Sequence, residues 1–450
     1  MSEKKLTKEE LLAKARKPAE LAMKYHPFYK GKIQTALRAP VETFHDFAIW
    51  YTPGVAEPCR AIHKKKELVY EYTSKWNTIA VVSDGTRVLG LGDIGPEAGM
   101  PVMEGKALLF KYLGGVDAVA LCLDTKDPDI IINTVKLIQP SFGGINLEDI
   151  SQPKCFYVLD TLRADPEVKI PVWHDDQQGT ATIVVAGVIN AIKLVGKKLD
   201  KALFSMVGAG AANIAISRVM VAAGVKKDNI IMADSKGILH PGRTELEEKY
   251  PEKWDMCLHS NKEGRTGGTT DAMKDTDLCV ASSTPGPGII TPEMVKGMAD
   301  EPIVFACANP IPEIWPWEAL EAGAKIVATG RSDFPNQINN SLGFPGIFRG
   351  TLDVRAKTIT DEMCIAAAFE LAKTAEDKGL TEEYIVPTMD EWEVFPREAC
   401  AVGMKAMEQG LARIKMSRDE LYSRAETIIK QARDVTKMLM KQGFIAARPT

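Results

Sequence analysis

Between Ala202 and Asp234 the chain reads as an apolar strand to Val207, the turn Gly208-Ala209-Gly210-Ala211-Ala212-Asn213, a proline-free helix from Ile214 to Ala223, and a second strand from Asn229 to Ala233. Strand, glycine turn and helix in that order confine the surrounding chain to an α/β architecture with parallel strands. The first glycine admits the tight turn, the second lets backbone approach a pyrophosphate, and the helix start presents free amides to its charge. Gly208, Gly210, Ala211 and Asn213 are therefore candidate cofactor-binding residues, with Asn213 standing where the dinucleotide fingerprint has Gly or Ala. Asp234 ends the second strand, 234 − 213 = 21 residues past the turn, near the spacing of an acid that bonds the ribose hydroxyls of NAD. Ser235, Lys236 and Arg243 follow and offer a hydroxyl and two cations to a 2′-phosphate, so NAD is the expected cofactor and NADP an accepted alternative. Strand patterns at Leu278 to Ala281, Ile303 to Ala308 and Lys325 to Thr329 continue the layer, and Ser282 to Gly288 and Asn309-Pro310 fall at strand ends where a nicotinamide fits.

A second α/β unit precedes this one, with strand patterns at Thr78 to Val82, Val116 to Cys122, Gly143 to Ile150 and from Ile170. Two of them run into paired acids, Glu148 with Asp149 and Asp175 with Asp176. The helix-length segment between them predicts a β-α-β crossover that sets both acidic ends side by side. Four crowded carboxylates raise one another's pKa, and a hard divalent cation relieves them; an all-oxygen set suits Mg²⁺ or Mn²⁺ rather than Zn²⁺. Asp175 and Asp176 read equally as N-caps of the next helix, Thr180 to Val195, which is apolar around most of its circumference and therefore buried. His174 reads as a packing neighbour.

After the first strand, Ser83 to Thr86 reads as a hairpin-like turn and Gly90, Gly92 and Gly95 form a G-x-G-x-x-G string. Pro96 and Pro101 follow at once, so the string is read as a close-packed turn and the helix is expected only from Glu104. That places Lys106 in a first helical turn, where the positive helix end lowers a lysine's pKa towards that of a general base; a surface lysine is the plain alternative. Tyr51, at the Thr52-Pro53-Gly54 turn, reads as an amphipathic packing residue. Arg331 to Gly350 reads as an amide-rich polar loop, whose amides serve either a ligand or the loop's own backbone.

With 450 residues, 45% hydrophobic and 26% charged, the chain is long enough for two or three soluble domains. A net charge of −4 without a basic stripe argues against nucleic acid. Eight scattered cysteines without a Cys-x-x-Cys pair, no signal-like N-terminus and no spanning apolar stretch predict a cytoplasmic protein that does not bind membranes. The expected division is a helical segment over 1–70, opening on a capping box at Thr7 to Glu10; a metal and substrate α/β domain over 71–175, completed by 340–400; a Rossmann-type domain over 176–339; and a helical segment over 401–450.

Tyr51 to Ala56, Leu89 to Gly95 with Pro101 to Lys106, Asn146 to Asp149, and His174 to Ala181 together resemble the motifs of malic enzymes of the shorter bacterial and archaeal type, in order, from about Tyr51 to Ala368. The resemblance implies Tyr51 and Lys106 as catalytic residues with Asp175 as their partner, Glu148, Asp149 and Asp176 as metal ligands, Asn309 beside the nicotinamide and Asn340 on malate. Arg87 matches the substrate arginine of the longer type. The implied reaction is oxidative decarboxylation of malate to pyruvate and CO₂, with NAD or NADP and a divalent ion, in a homodimer or higher homo-oligomer. A malolactic or oxaloacetate decarboxylase on the same scaffold, and a non-catalytic nucleotide sensor, are the alternative readings.

Overall fold

The computed structural model describes residues 8–449, so Thr7 of the expected capping box lies outside the described residues. The first sheet contains β1 (Thr78–Ser83), β2 (Asp117–Cys122), β3 (Gly144–Leu147) and β4 (Val172–His174), in the order β2-β1-β3-β4 and parallel throughout. Parallel neighbours need crossovers, supplied by the helices Pro96–Gly114, Pro128–Ile138 and Lys154–Ala164. Ile79 to Val82 are buried without alternation, as strands covered on both faces are. Leu147 pairs with His174, so Glu148 and Asp175 are the next residues at neighbouring strand ends, the arrangement the crossover predicts.

The second sheet contains β5 (Phe204–Val207), β6 (Ile230–Asp234), β7 (Gly237–Ile238), β8 (Leu278–Ala281), β9 (Ile303–Ala306) and β10 (Ile326–Thr329). Its order is β10-β9-β8-β5-β6-β7, with only the two-residue β7 antiparallel. Counted from its own first strand this is 6-5-4-1-2-3, the doubly wound nucleotide-binding order with its third strand reduced to a stub. The switch point lies between β5 and β8, where such sheets open a crevice at their carboxyl ends. The molecule is thus α/β, with a Rossmann-type sheet, a second parallel sheet and helices at both ends.

The helix Thr180–Leu194 joins the sheets, with Ala181 to Val188 all buried. It packs on the helices Ala211–Ala222 and Asp361–Lys378. Its buried Asn190 donates to the carbonyls of Ala372 and Ile385, at 2.9 and 2.8 Å, which satisfies an amide that would otherwise cost the fold about 1–3 kcal/mol.

Three local expectations fail. The helix bearing Lys106 begins at Pro96, not Glu104, because a proline in the first turn has no needed amide to lose; Lys106 therefore sits near the middle of the helix. Ser83 to Thr86 makes no hairpin, since both neighbours of β1 run parallel to it. The second half of the expected polar loop is the helix Phe344–Asp353, buried along its whole length and again opened by a proline, Pro345.

At the N-terminal end the helices Phe44–Trp50 and Ala56–Lys64 contain no buried residue, and Leu37 and Phe44 are 84% and 85% exposed. Among the described residues no helix is long and apolar enough to cross a membrane.

Candidate active site

A cavity of about 840 Å³ opens between the two sheets at their carboxyl ends. Arg87, Lys106, Glu148, Asp149 and Asp176 line it from the first sheet's side, and Gly210, Ala211, Ser283 and Asn309 from the second's.

The acids come from adjoining strand ends. Glu148, Asp149 and Asp176 bring one oxygen each to within 4.8 Å of one another. Glu148 accepts from the Asn146 amide at 2.9 Å, and Asp176 accepts from the Asp149 backbone amide at 2.8 Å. Asp149 takes a left-handed backbone (φ +54°), which Asp tolerates better than most residues, and its carbonyl accepts from the Arg87 amide at 2.9 Å. Glu148 and Asp149 are 2% exposed, while Asp176 keeps a third of its side chain open. Burial, then the neighbouring Asp176, pushes the Asp149 carboxyl up to about 8; burial likewise raises Glu148, Asp175 and Asp176. Asp149 Oδ2 and Asp175 Oδ1 are buried without a hydrogen-bond partner. Crowded, desolvated, partly unpaired carboxylate oxygens are what a hard divalent cation fits.

Asp175 and Asp176 do not cap the following helix. They open a π-helical turn, Asp175–Gly179, and Gly179 holds the N-cap position. Gly179 has no room for a side chain, since a Cβ there would lie 1.9 Å from Asp175 Oδ1. Asp175 is instead paired with Lys106, whose ammonium also lies 3.1 Å from Glu148 and 4.6 Å from the centre of the Phe344 ring. The pKa of Lys106 is raised, against the expectation that the helix start lowers it. Burial is the largest single influence and lowers it, but Asp175, Glu148 and Asp176 together outweigh burial, and the positive helix end is far away. His174 is fully buried, 3.7 Å from Asp176, and its burial holds the imidazole at about 4 and hence neutral.

On the other side, Gly208 (φ +97°) makes the turn, and a Cβ there would lie 2.6 Å from the Ser282 carbonyl oxygen. Gly210 is the N-cap of the helix Ala211–Ala222. Asn213 is buried and donates to the Val207 and Gly208 carbonyls at 3.0 and 2.7 Å, so its side chain braces the turn rather than lining the cavity. Asp234, Ser235 and Lys236 line a second cavity of about 400 Å³ with Arg243. Arg243 donates to both oxygens of Asp234 at 3.2 Å, and Lys253 lies 3.6 Å from it. Burial would raise the Asp234 carboxyl, but the Arg243 hydrogen bonds and charge more than offset it and keep its pKa low.

In the former amide-rich loop, Asn336 donates to the Val327 and Glu382 carbonyls and accepts from Ile385, and Asn339 bonds Gly330 and Ser341, so both serve the backbone. Asn340 lines the cavity beside Gly179. Tyr51 is 73% exposed and does not line the cavity of its own chain. Sequence reasoning missed Lys32, which lines the cavity and donates to the Pro101 carbonyl at 2.8 Å; a contact across 69 residues leaves no local signal.

Residues 30–163 match the N-terminal domain of malic enzymes and residues 177–408 their NAD binding domain. The chain belongs to the malic enzyme family. Among its relatives, the bifunctional malic/malolactic enzyme of Bacillus subtilis is 47% identical over 91% of this chain and 98% of its own length. The NAD-dependent malic enzyme of Geobacillus stearothermophilus is 50% identical over 85% of this chain and 78% of its own. The crystal structure of the Entamoeba histolytica malic enzyme superposes with a TM-score of 0.96 at 47% identity, covering 99% of this chain and 93% of that one.

Proposed function

We infer that the protein oxidises malate and decarboxylates it to pyruvate and CO₂ with NAD or NADP, and that Glu148, Asp149 and Asp176 hold one Mg²⁺ or Mn²⁺ for the purpose. The observation that carries this reading is the meeting, in one cleft, of a largely buried carboxylate triad, a paired lysine and a dinucleotide turn. When bound, the nicotinamide accepts the hydride from C2, and the cation polarises the ketone and takes up enolate charge. Lys106 receives the proton of the C2 hydroxyl. With a cation on the triad, Glu148 and Asp176 would no longer hold Lys106 as the ammonium, so its burial would favour the neutral amine a base needs, while Asp175 keeps it oriented. Arg87 and Asn340, both lining the cavity, hold the carboxylates of malate.

Tyr51 gives the proton to C3 of the enol. Its own cavity holds no such phenol, and it belongs to an exposed apolar stretch with Phe44, Phe47, Ile49 and Trp50. A patch of that kind marks an interface, so the protein works as a homodimer in which this stretch covers a second copy and delivers Tyr51 to that copy's cleft. NAD is the preferred dinucleotide, because Arg243 keeps Asp234 ionised and fixed where it accepts ribose hydroxyls; Lys236 and Lys253 offset enough of that charge for NADP to be used as well. Its place is the cytoplasm, where its eight cysteines stay reduced.

The test is a steady-state assay with malate, Mn²⁺ and each dinucleotide, following reduced nicotinamide and pyruvate together. One of each per malate is expected. Lactate without reduced nicotinamide, the malolactic outcome named for the Bacillus subtilis relative, would replace this reading. Full turnover in excess chelator would remove the metal from it. For the cofactor, kcat/KM with NAD should exceed that with NADP and stay higher in Lys236→Ala; an NADP preference lost in that variant would reverse the ranking.

A further inference from the structure

We propose that Glu313 is a positioning residue that fastens two strand-end loops into the single wall against which the nicotinamide lies. The proposal rests on the dinucleotide reading above. One loop leaves β8 through Ser282 and Ser283, and the other leaves β9 through Cys307, Ala308 and Asn309; all five residues line the large cavity. Glu313 is 0% exposed and sits between them. Its Oε1 accepts from the Ser283 backbone amide at 2.8 Å and from the Ser283 hydroxyl at 3.2 Å, and its Oε2 accepts from the Ala308 backbone amide at 3.0 Å. The backbone repeats the tie farther out, with the Gly286 amide donating to Ile311 and the Gly288 and Ile290 amides to Glu313 itself, at 3.2–3.3 Å.

The two strand-end amides belong to different loops and both donate to Glu313. A carboxylate is the side chain that offers an acceptor on each of two arms, so it satisfies both amides at once and fixes their separation. Glutamine has the same shape but must turn an NH₂ towards one of the two amides. Burial raises the Glu313 carboxyl on balance, although the Ala308 and Ser283 amides act to lower it; with an N–H donor facing each oxygen, the geometry calls for an acceptor on both arms.

The wall matters because the other half of the molecule touches it. A Cβ on Gly90, in the loop that follows β1, would lie 2.0 Å from Pro285 Cγ and 2.5 Å from the Asn309 carbonyl oxygen. Whatever fixes Pro285 and Asn309 therefore also sets the spacing between the dinucleotide wall and the side of the cleft bearing Lys106 and the acids.

The experiment compares the full-length parent with Glu313→Gln. The dissociation constant and KM for the dinucleotide should rise on the order of ten-fold, the scale of one lost charge-assisted hydrogen bond. The Mn²⁺ concentration for half-maximal activity, set on the opposite wall, should stay as in the parent. Unchanged dinucleotide binding overturns the proposal, as does an equal loss of Mn²⁺ and dinucleotide affinity, which would mark general loosening. If the variant does not fold, amide exchange in the parent decides. The Ser283 and Ala308 amides must be protected before any dinucleotide is added, and free exchange at both overturns the proposal. A parent that binds neither NAD nor NADP would defeat the cofactor reading instead, while the exchange measurement still judges the clamp.

Discussion

Lys106 lies between two environments that act on it in opposite directions: a buried site that favours the amine, and acids that favour the ammonium. Replacing it by Ala should cut turnover by a factor on the order of 10² to 10⁴, the usual worth of a positioned acid or base, while dinucleotide affinity measured by fluorescence titration stays near the parent's. Asp176→Asn keeps an oxygen for the Asp149 amide but removes one negative charge of the triad. It should raise the Mn²⁺ concentration needed for half-maximal activity, read from a metal titration of the apo-enzyme; an unshifted titration would take Asp176 out of the ligand set. At this scale the clustering of the acids was legible, because strand ends that break into charge after an apolar run leave a local mark, whereas Lys106 was expected in a first helical turn with a lowered pKa and lies near the middle of its helix with a raised one. Asn213 was half legible: its position in the glycine turn was plain, but not that its amide would be consumed by Val207 and Gly208. Lys32 left no mark at all, since its place in the cavity is settled by Pro101, far along the chain.

The helices misjudged from sequence had different causes. Pro96 was read as a sign of loop and the segment holding Pro345 was read as loop from its amides, yet each proline stands in the first turn of its helix, where no intrahelical partner is lost. The second case hid a buried helix inside an apparently polar segment. Phe344–Asp353 packs closely on Val394–Glu408, and a Cβ at Gly350 would lie 2.1 Å from the Ala399 carbonyl oxygen, which is backbone and cannot swing aside. Gly350→Ala should therefore destabilise the fold by about 1–3 kcal/mol or more, the cost of overpacking a close contact, seen as a lower urea midpoint with an unchanged slope. The parallel strands, in contrast, were readable almost residue by residue: Leu278–Ala281 matches its apolar run, because strands buried on both faces spell themselves out as unbroken aliphatic segments.

For the whole molecule, the exposed N-terminal stretch and the missing phenol are one problem. Sedimentation should find a dimer, and Tyr51→Phe should lose turnover while leaving metal and dinucleotide affinity intact. If Tyr51 acts across the interface, mixing unfolded and refolded Tyr51→Phe and Lys106→Ala chains should restore about a quarter of the parent's active sites, since half the random dimers then carry one intact cleft. Restoration of nothing would place Tyr51 with its own chain. A different consequence follows from the helix Thr180–Leu194. One continuous apolar core runs from Val82 and Ile145 through Ile183, Val184 and Val188 to Phe204 and Phe305, so the helix belongs to both sheets at once. Neither half owns a complete interior without it. A gene cut on either side of that helix should yield fragments that are insoluble when made separately, and heat should melt the intact chain in one calorimetric event rather than two. Opening of the cleft must then come from the loops at its rim, because the spine behind it cannot hinge without exposing the middle of the protein to water.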